Sequence, residues 1–226
     1  MSRYAISDIH GCIKTFKALL KKLNFSASDT LFLLGDYVDR GPDSRGVINH
    51  ILTLQKDGFD VRCLRGNHDQ MMIDALTTNM EAQSRWLRAG GDTTWDSYYK
   101  KAPKAIPQAH LTFLQQLPYY LETESYILVH AGLNFKAFDP LFDKESMLWI
   151  RSWYSRINTF WLNGRIIVHG HTPISKSIIQ ARFKHIETCP AIDIDAGCVY
   201  RKKGMHHLCA FNLDKQTFTF QENIDN

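Results

Sequence analysis

The chain has 226 residues, of which 44% are hydrophobic and 22% are charged, and its formal net charge is +4 at pH 7. This length suits a single domain, and no apolar run is long enough to cross a bilayer, which argues against a membrane protein or a membrane partner. The mild positive charge favours anionic substrates, but basic residues do not cluster into a tract, so nucleic-acid binding has no direct support.

The amino-terminal residues and the cysteines bear on the compartment in which the protein acts. The chain enters a strand-like segment at once and shows no charged head, apolar middle and small-residue cleavage site. Its five cysteines form no close pairs, which predicts neither a disulfide framework nor a zinc ribbon. We therefore expect a cytoplasmic protein.

Short apolar runs alternate with amphipathic stretches over the first seventy residues. Strands are predicted at 3–6, 30–34 and 61–64. Apolar residues at helical spacing predict helices around 16–23 and 47–54 between them. This order is typical of a largely parallel sheet with helices packed on it.

The remaining elements predict how the domain is completed. Residues 70–117 have a helical composition interrupted by Gly90-Gly91, Pro103 and Pro107, which indicates a helical, cap-like insertion. Strands follow at 126–129, 165–168, 192–194, 208–212 and 217–221, and residues 223–226 are predicted to fray. We expect one α/β domain over residues 1–226, a four-layer α/β/β/α sandwich of two mixed sheets flanked by helices.

Five of the predicted strands end in short polar motifs. In chain order these are DIHG (8–11), GDYVDRG (35–41), GNHD (66–69), HAG (130–132) and GHT (170–172). The carboxyl ends of strands in an α/β sheet meet at one crevice, so five separate segments can present side chains to one site there.

Six side chains in these motifs are candidate metal ligands: Asp8, His10, Asp36, Asn67, His130 and His171. Carboxylate, imidazole and amide groups without cysteine suit manganese, iron or zinc rather than a structural zinc cage. Six groups exceed the usual share of one ion, so two divalent ions bridged by one carboxylate and a hydroxide are predicted. Such a pair lowers the pKa of water toward about 7 and holds phosphate oxygens, which predicts phosphate ester hydrolysis.

With these motifs in this order, the chain resembles the metal-dependent phosphoprotein phosphatases of the calcineurin-like metallophosphoesterase superfamily. The resemblance covers most of the chain. It is closest to small bacterial and phage-encoded serine/threonine phosphatases, through GNHDQMMIDAL (66–76), the stretch from Trp86 to Gly91, and LWIR ending at Arg151. It implies the metallo-dependent phosphatase fold and hydrolysis of phosphoserine and phosphothreonine by direct attack of a metal-bridging hydroxide.

The resemblance also implies a role for each matching position. Asp8 and His10 would bind the first metal, Asp36 would bridge, and Asn67, His130 and His171 would bind the second. His68 would protonate the leaving alkoxide, with Asp39 orienting its ring. Three arginines match phosphate-binding positions, and their planar guanidinium groups suit phosphate oxygens: Arg40, Arg65 and Arg151.

Each of these residues also has a structural interpretation. A lone aspartate or histidine at a strand end more often forms a turn than binds a metal, and only the joint pattern reverses this expectation. His169 alternates away from His171 along its strand and is predicted to be structural. Asp195 is predicted to be structural or to orient a metal-binding histidine.

Two other functions stay open. Symmetrical hydrolases of dinucleoside tetraphosphates such as diadenosine tetraphosphate share nearly every ligand and usually read GNHD, as here, where protein phosphatases usually read GNHE. Asp39 favours the phosphatase, because the bacterial dinucleotide hydrolases typically have alanine there. The third function is an inactive phosphate-binding scaffold, which the intact ligand set disfavours. The expected substrate is thus a phosphoprotein or phosphorylated small molecule, with a dinucleoside polyphosphate as the alternative.

Overall fold

The structure is a computed structural model that describes residues 1–100 and 105–225. Pro103, one of the predicted helix breaks, lies outside the described residues. The strands are β1 (Arg3–Ile6), β2 (Thr30–Leu33), β3 (Asp60–Cys63), β4 (Tyr120–Glu122), β5 (Tyr126–Val129), β6 (Ile166–His169), β7 (Ala191–Asp193), β8 (His207–Asn212) and β9 (Thr217–Glu222). The α-helices are α1 (Ile13–Lys22), α2 (Ser44–Lys56), α3 (Asn67–Thr77), α4 (Met80–Trp86), α5 (Asp92–Tyr99), α6 (Gln108–Gln116), α7 (Lys144–Trp149), α8 (Thr159–Leu162) and α9 (Lys176–Phe183).

The strands form two mixed sheets. The first has the order β3-β2-β1-β8-β9, in which β1, β2 and β3 are parallel and β8 and β9 are antiparallel to their neighbours. The second has the order β4-β5-β6-β7, in which β5, β6 and β7 are parallel and β4 is an antiparallel edge. Helices α1 and α2 supply the long crossovers that parallel neighbours require.

Alternate residues of each strand face different layers, because strand side chains point to opposite faces in turn. In β2, Leu31 and Leu33 pack under the helices, whereas Phe32 packs between the sheets. In β5, Leu128 faces the core between the sheets and Ile127 faces an outer core that includes residues of α7 and α8. The predicted α/β/β/α arrangement of two mixed sheets flanked by helices is therefore confirmed.

The sequence located most strands to within one residue but missed several short elements. The edge strand β4 has three residues and pairs with β5 from Tyr120↔Val129. The helices α7, α8 and α9 were also missed, although side chains of Asp143, Asn158 and Ser175 cap their first turns. Such caps are visible in a sequence, but helices of four to eight residues carry too few apolar positions to show a period.

The segment 70–117 contains most of α3 and all of α4, α5 and α6. A turn of π-helix at Leu87–Gly91 joins α4 to α5, and Gly90 interrupts it with a φ of 110°. Within residues 1–100 and 105–225, no helix combines the length and apolar character needed to cross a bilayer. The division into one domain with a cap-like insertion stays a prediction.

The expectation that residues 223–226 fray is wrong for the described part, 223–225. Asn223 and Asp225 are buried. The Asp225 carboxylate accepts hydrogen bonds from the backbone N–H groups of Lys14 (2.8 Å) and Thr15 (2.7 Å), in the first turn of α1. A carboxylate at a helix amino terminus satisfies N–H groups that lack partners within the helix and interacts favourably with the helix dipole.

Asp225→Ala is expected to lower the free energy of unfolding by about 0.5–2 kcal/mol, the range measured for loss of an amino-terminal helix cap. Urea denaturation followed by circular dichroism measures this change. Asp57→Ala, which removes an exposed carboxylate at the end of α2, is the control and is expected to change stability by less than about 0.5 kcal/mol. Equal effects of the two substitutions would contradict the capping role.

Candidate metal centre

The five motifs lie at the carboxyl ends of β1, β2, β3, β5 and β6. Backbone hydrogen bonds join these turns directly: His10 N–H donates to the Asp36 carbonyl (2.9 Å), and Gly170 N–H donates to the His130 carbonyl (2.8 Å). Between the sheets, His171 N–H donates to the Asp8 carboxylate (3.0 Å), so the parallel strands of both sheets place their motifs together.

Backbone strain is concentrated in these turns. The six non-glycine residues that share it have φ between 47° and 73°: Asp8, His10, Asp36, Asp39, Arg40 and His171. The left-handed conformation costs roughly 1–2 kcal/mol at a non-glycine residue. Strain of this kind persists only where surrounding structure enforces it, and it is typical of functional sites.

Close packing of the turns is needed to bring the ligand atoms together. Gly66 is the residue before Asn67, and a Cβ there would overlap the Asp36 carboxylate and the Asp36 backbone nitrogen. Asp69 binds the same region from α3: its carboxylate accepts from the N–H groups of Asp36 (2.8 Å), Tyr37 (3.0 Å) and Gly66 (2.9 Å). Asp69 is the last residue of GNHD, the form of this motif that is usual in tetraphosphate hydrolases. Its side chain joins the GNHD and GDYVDRG motifs and does not line the cavity.

The predicted ligands converge. Asp36 is central, since its two carboxylate oxygens lie 3.6 Å from His10 Nε2 and 3.6 Å from His130 Nε2. Asn67 Oδ1 lies 3.0 Å from His130 Nε2 and 2.8 Å from His171 Nδ1. His171 N–H donates to the Asp8 carboxylate (3.0 Å), which also accepts from the Ser7 hydroxyl.

The ring tautomers show that this arrangement suits cations. His10 Nδ1 lies 2.8 Å from the Val38 carbonyl, and His130 Nδ1 lies 2.8 Å from the Leu34 carbonyl. A carbonyl only accepts, so each Nδ1 carries the proton and each Nε2 holds a lone pair. The His10 lone pair meets the Arg40 guanidinium (2.8 Å), whereas the His130 lone pair faces two acceptors, the Asp36 carboxylate (3.6 Å) and Asn67 Oδ1 (3.0 Å). Acceptors that face acceptors in a buried site are unfavourable unless a cation lies between them. The donor set therefore fits divalent metal ions, with a carboxylate placed to bridge two of them.

Burial opposes charge throughout this cluster. It raises the pKa of Asp36 well above its usual range, and the neighbouring carboxylates Asp8 and Asp69 raise it further. It lowers the pKa of His10 and of His130, so that both rings are neutral, as metal-ligating imidazoles must be.

Metal binding is therefore expected to release protons. A carboxyl with a raised pKa in the folded protein keeps its proton to higher pH, and divalent ions must displace it. In the metal-free protein, protonation of Asp36 stabilises the fold at low pH, and this stabilisation is lost as pH rises through the raised pKa. Stabilisation by bound metal increases over the same pH range, because the ions no longer compete with a proton. Titration calorimetry with manganese in two buffers of different ionisation enthalpy should show proton release, with affinity increasing by up to roughly tenfold per pH unit for each proton displaced. Affinity that is independent of pH, without proton release, would contradict this assignment.

His68 and Asp39 form a buried pair next to the ligands. His68 Nδ1 lies 2.7 Å from Asp39 Oδ2. Burial lowers the pKa of His68 to about 2 and raises the pKa of Asp39 to about 7. Both shifts reflect the cost of removing a charged group from water. The hydrogen bond places a proton between Nδ1 and the carboxylate. A ring nitrogen of His68 also lies within 4.8 Å of ligand atoms of His10 and Asp36.

The three predicted phosphate-binding arginines have different surroundings. Arg40 Nη1–H donates to His10 Nε2 (2.8 Å), and Arg151 Nη1–H donates to the Thr172 hydroxyl (3.2 Å). Arg65 points elsewhere: its guanidinium donates to Gln70 (2.8 Å) and to the Gln115 carbonyl (2.5 Å). It also lies over the Tyr119 ring (5.0 Å), so the phosphate role predicted for Arg65 finds no support in its contacts.

A cavity of about 240 Å³ opens on these groups. Its lining includes six of the predicted site residues: Asp36, Arg40, Asn67, His68, Arg151 and His171. Four further lining residues were missed: Pro173, Tyr200, Lys202 and Met205. Three consecutive basic residues at 201–203 are a signal in the sequence for part of this wall, so the expectation that basic residues do not cluster is wrong here.

Neither His169 nor Asp195 lines the cavity. His169 Nε2 lies 2.9 Å from the Tyr154 hydroxyl, and the buried His169 ring is outside the cavity lining. Asp195 accepts from the Gly197 N–H (2.9 Å), a local turn contact. The contact of His169 fits its predicted structural role. Burial and the nearby Asp8 carboxylate raise the pKa of Asp195, and its role stays a prediction.

The fold and the motif cluster are those of a metallophosphoesterase, and the chain belongs to the calcineurin-like phosphoesterase family, whose sequence model matches residues 1–199. It is 28% identical over 199 residues to serine/threonine-protein phosphatase 1 of Salmonella typhimurium, covering 82% of this chain and 85% of that protein. It is 33% identical over 134 residues to the symmetrical bis(5'-nucleosyl)-tetraphosphatase of Cellvibrio japonicus, covering 59% of this chain and 46% of that protein. The chain thus matches less than half the length of this tetraphosphatase.

A solved structure supports the same fold. It is a provisionally assigned diadenosine tetraphosphatase with a TM-score of 0.70 and 20% sequence identity, covering 99% of this chain and 94% of that chain. At this identity the likeness shows the fold alone.

Proposed function

We propose that the protein is a metal-dependent phosphatase that hydrolyses phosphoserine and phosphothreonine in proteins, with two divalent ions, manganese first among them. The observation that carries this proposal is the buried hydrogen bond between His68 and Asp39, beside the metal ligands. The serine/threonine-protein phosphatase relative, whose match covers most of both chains, agrees with it.

The leaving group explains why the pair matters. A serine or threonine alkoxide is strongly basic and leaves only when an acid protonates it. A nucleoside diphosphate, the leaving group in symmetrical tetraphosphate cleavage, is a weak base and needs no such acid. An imidazole held by a carboxylate at the cavity wall therefore fits phosphate esters of alcohols better than phosphoanhydrides.

Each group has a role in this proposal. Asp8, His10 and Asp36 would hold one ion, and Asn67, His130 and His171 would hold the second together with Asp36. When bound, two divalent ions supply a nucleophile from water and balance charge on the phosphoryl group. Arg40 and Arg151 bind its non-bridging oxygens from the cavity wall, where charge builds up as the bond breaks. To act as the acid, His68 must first take up a proton on Nε2, which burial opposes and the Asp39 carboxylate on Nδ1 favours. It would then give this Nε2 proton to the alcohol oxygen.

The second candidate function is symmetrical hydrolysis of a dinucleoside tetraphosphate. Lys202 adds a third cation to the cavity wall, which suits a substrate with more than one phosphate. A symmetrical bis(5'-nucleosyl)-tetraphosphatase is also among the relatives, with 33% identity over 134 residues. An inactive phosphate-binding scaffold is the remaining alternative. The complete set of convergent ligands argues against it, because phosphate binding alone does not require two metal ions.

The deciding experiment compares a phosphoserine peptide with diadenosine tetraphosphate under identical manganese loading. We expect kcat/KM to favour the peptide by at least a hundredfold, equivalent to about 2.7 kcal/mol. The reverse preference, with ADP as the product, would replace the proposal by the tetraphosphatase. No turnover of either substrate or of para-nitrophenyl phosphate with manganese, iron, zinc or cobalt would indicate the scaffold.

A further inference from the structure

Asp39 is held from behind by the helical segment that contains α4 and α5. Its side chain is fully buried. While Oδ2 faces His68, Oδ1 accepts hydrogen bonds from Trp86 Nε1 (2.9 Å) and from the Thr94 hydroxyl (2.8 Å). Trp86 is the last residue of α4, and Thr94 lies in the first turn of α5.

The same segment fixes the backbone of this turn. Asp39 N–H donates to the Thr94 hydroxyl (2.8 Å), and Arg40 N–H donates to the Gly90 carbonyl (3.0 Å). Asp39 and Arg40 have φ of 73° and 69°, a conformation that needs such support. Gly90 is required for the approach, because its own φ is 110° and a Cβ there would lie 2.8 Å from Arg40 Cγ.

We propose that Trp86 and Thr94 are positioning residues for the phosphatase reaction, acting on His68 through Asp39. Two donors on Oδ1 favour the ionised carboxylate and fix its plane, so that Oδ2 is directed at His68 Nδ1. The ring then keeps a proton on Nδ1 and turns Nε2 toward the cavity. This inference rests on the proposed acid role of His68, and it gives the segment 70–117 a function other than covering the site.

A purely structural role predicts a different result. The Trp86 ring is fully buried and lies 6.5 Å from the Trp95 ring, so its packing stabilises α4 whatever its N–H does. Trp86→Phe keeps an aromatic ring and removes the donor. Thr94→Val keeps the shape of the side chain and removes the hydroxyl, whereas Thr94→Ser keeps the hydroxyl. The hydrogen bonds can therefore be tested apart from the packing.

The kinetic test measures kcat/KM for phenyl phosphate, a poor leaving group, and for para-nitrophenyl phosphate, a good one, with the manganese-loaded enzyme. Thr94→Val and Trp86→Phe are expected to lower the value for phenyl phosphate about tenfold or more, the size expected for losing a hydrogen bond to a charged group, and the value for para-nitrophenyl phosphate much less. Thr94→Ser should restore the wild-type ratio. Thr77→Val, the same change at an exposed position of α3, is the control.

The same substitutions in a His68→Asn background show whether the effect passes through His68. We expect Thr94→Val to have no further effect there, since the residue that it positions is gone. Equal losses on both substrates, no loss, or an undiminished loss in the His68→Asn background would each overturn the proposal.

A spectroscopic measurement tests the inference without relying on turnover. The His68 Nδ1 proton, followed by ¹⁵N NMR, should exchange with solvent at least about tenfold faster in Thr94→Val and Trp86→Phe than in the wild type. Unchanged exchange in both variants would overturn the proposal even if the enzyme cleaves neither ester. Failure to cleave phosphoserine peptides alone, with this exchange pattern intact, would instead reject the proposed function.

Discussion

Asp36→Asn is expected to reduce turnover by at least about 10²–10³-fold, the loss seen when one charge-stabilising group is removed from an active site. Asp36 is the one predicted ligand whose two oxygens face ligand nitrogens on both sides, His10 and His130, each at 3.6 Å. An amide offers one weaker acceptor and no charge, so the variant should lose affinity for both ions rather than one.

Metal content by mass spectrometry and activity on para-nitrophenyl phosphate measure this result. Asp74→Asn makes the same chemical change on α3, outside the cavity lining, and serves as the control. A folded Asp36→Asn protein that retains two ions and wild-type turnover would contradict the bridging assignment.

His68→Asn is expected to lower kcat/KM for a phosphoserine peptide by about 10²–10⁴-fold, the usual contribution of a general acid. The loss for para-nitrophenyl phosphate should be much smaller, because that leaving group departs without protonation. The carboxylate of Asp39 and the metal ligands are unchanged in this variant, so metal content should stay at the wild-type level.

The split between the two substrates is the informative result. It is measured as the ratio of the two kcat/KM values, with the exposed His185→Asn variant as a control for histidine replacement elsewhere. Equal losses on both substrates would mean that His68 supports the site in some other way than by donating a proton.

The sequence was most informative at strand ends, where side chains suited to metal binding directly follow an apolar strand. Short apolar runs placed the carboxyl ends of β1, β2 and β3, and the polar motifs begin there, so the meeting of Asp8, Asp36 and Asn67 could be expected. The order of short apolar strands and amphipathic helices predicted sheets flanked by helices. Ligand roles for these residues stay predictions, but their geometric convergence is present in the structure.

Features that depend on distant contacts could not be predicted. The hydrogen bonds from Trp86 and Thr94 to Asp39 join residues 47 and 55 positions apart, and no local pattern marks them. Left-handed backbone at residues such as His171 is not visible in a sequence, because non-glycine residues adopt it only under tertiary constraint. An arginine at position 65 matches the family pattern, but Arg65 contacts Gln115 and Tyr119 and does not line the cavity.

Diffraction from a manganese-loaded crystal tests most directly whether the six predicted ligands hold two ions. Anomalous difference density should show two peaks per chain, roughly 3.5–4 Å apart. One should lie among Asp8, His10 and Asp36, and the other among Asp36, Asn67, His130 and His171. A single peak, or peaks away from Asp36, would contradict the account.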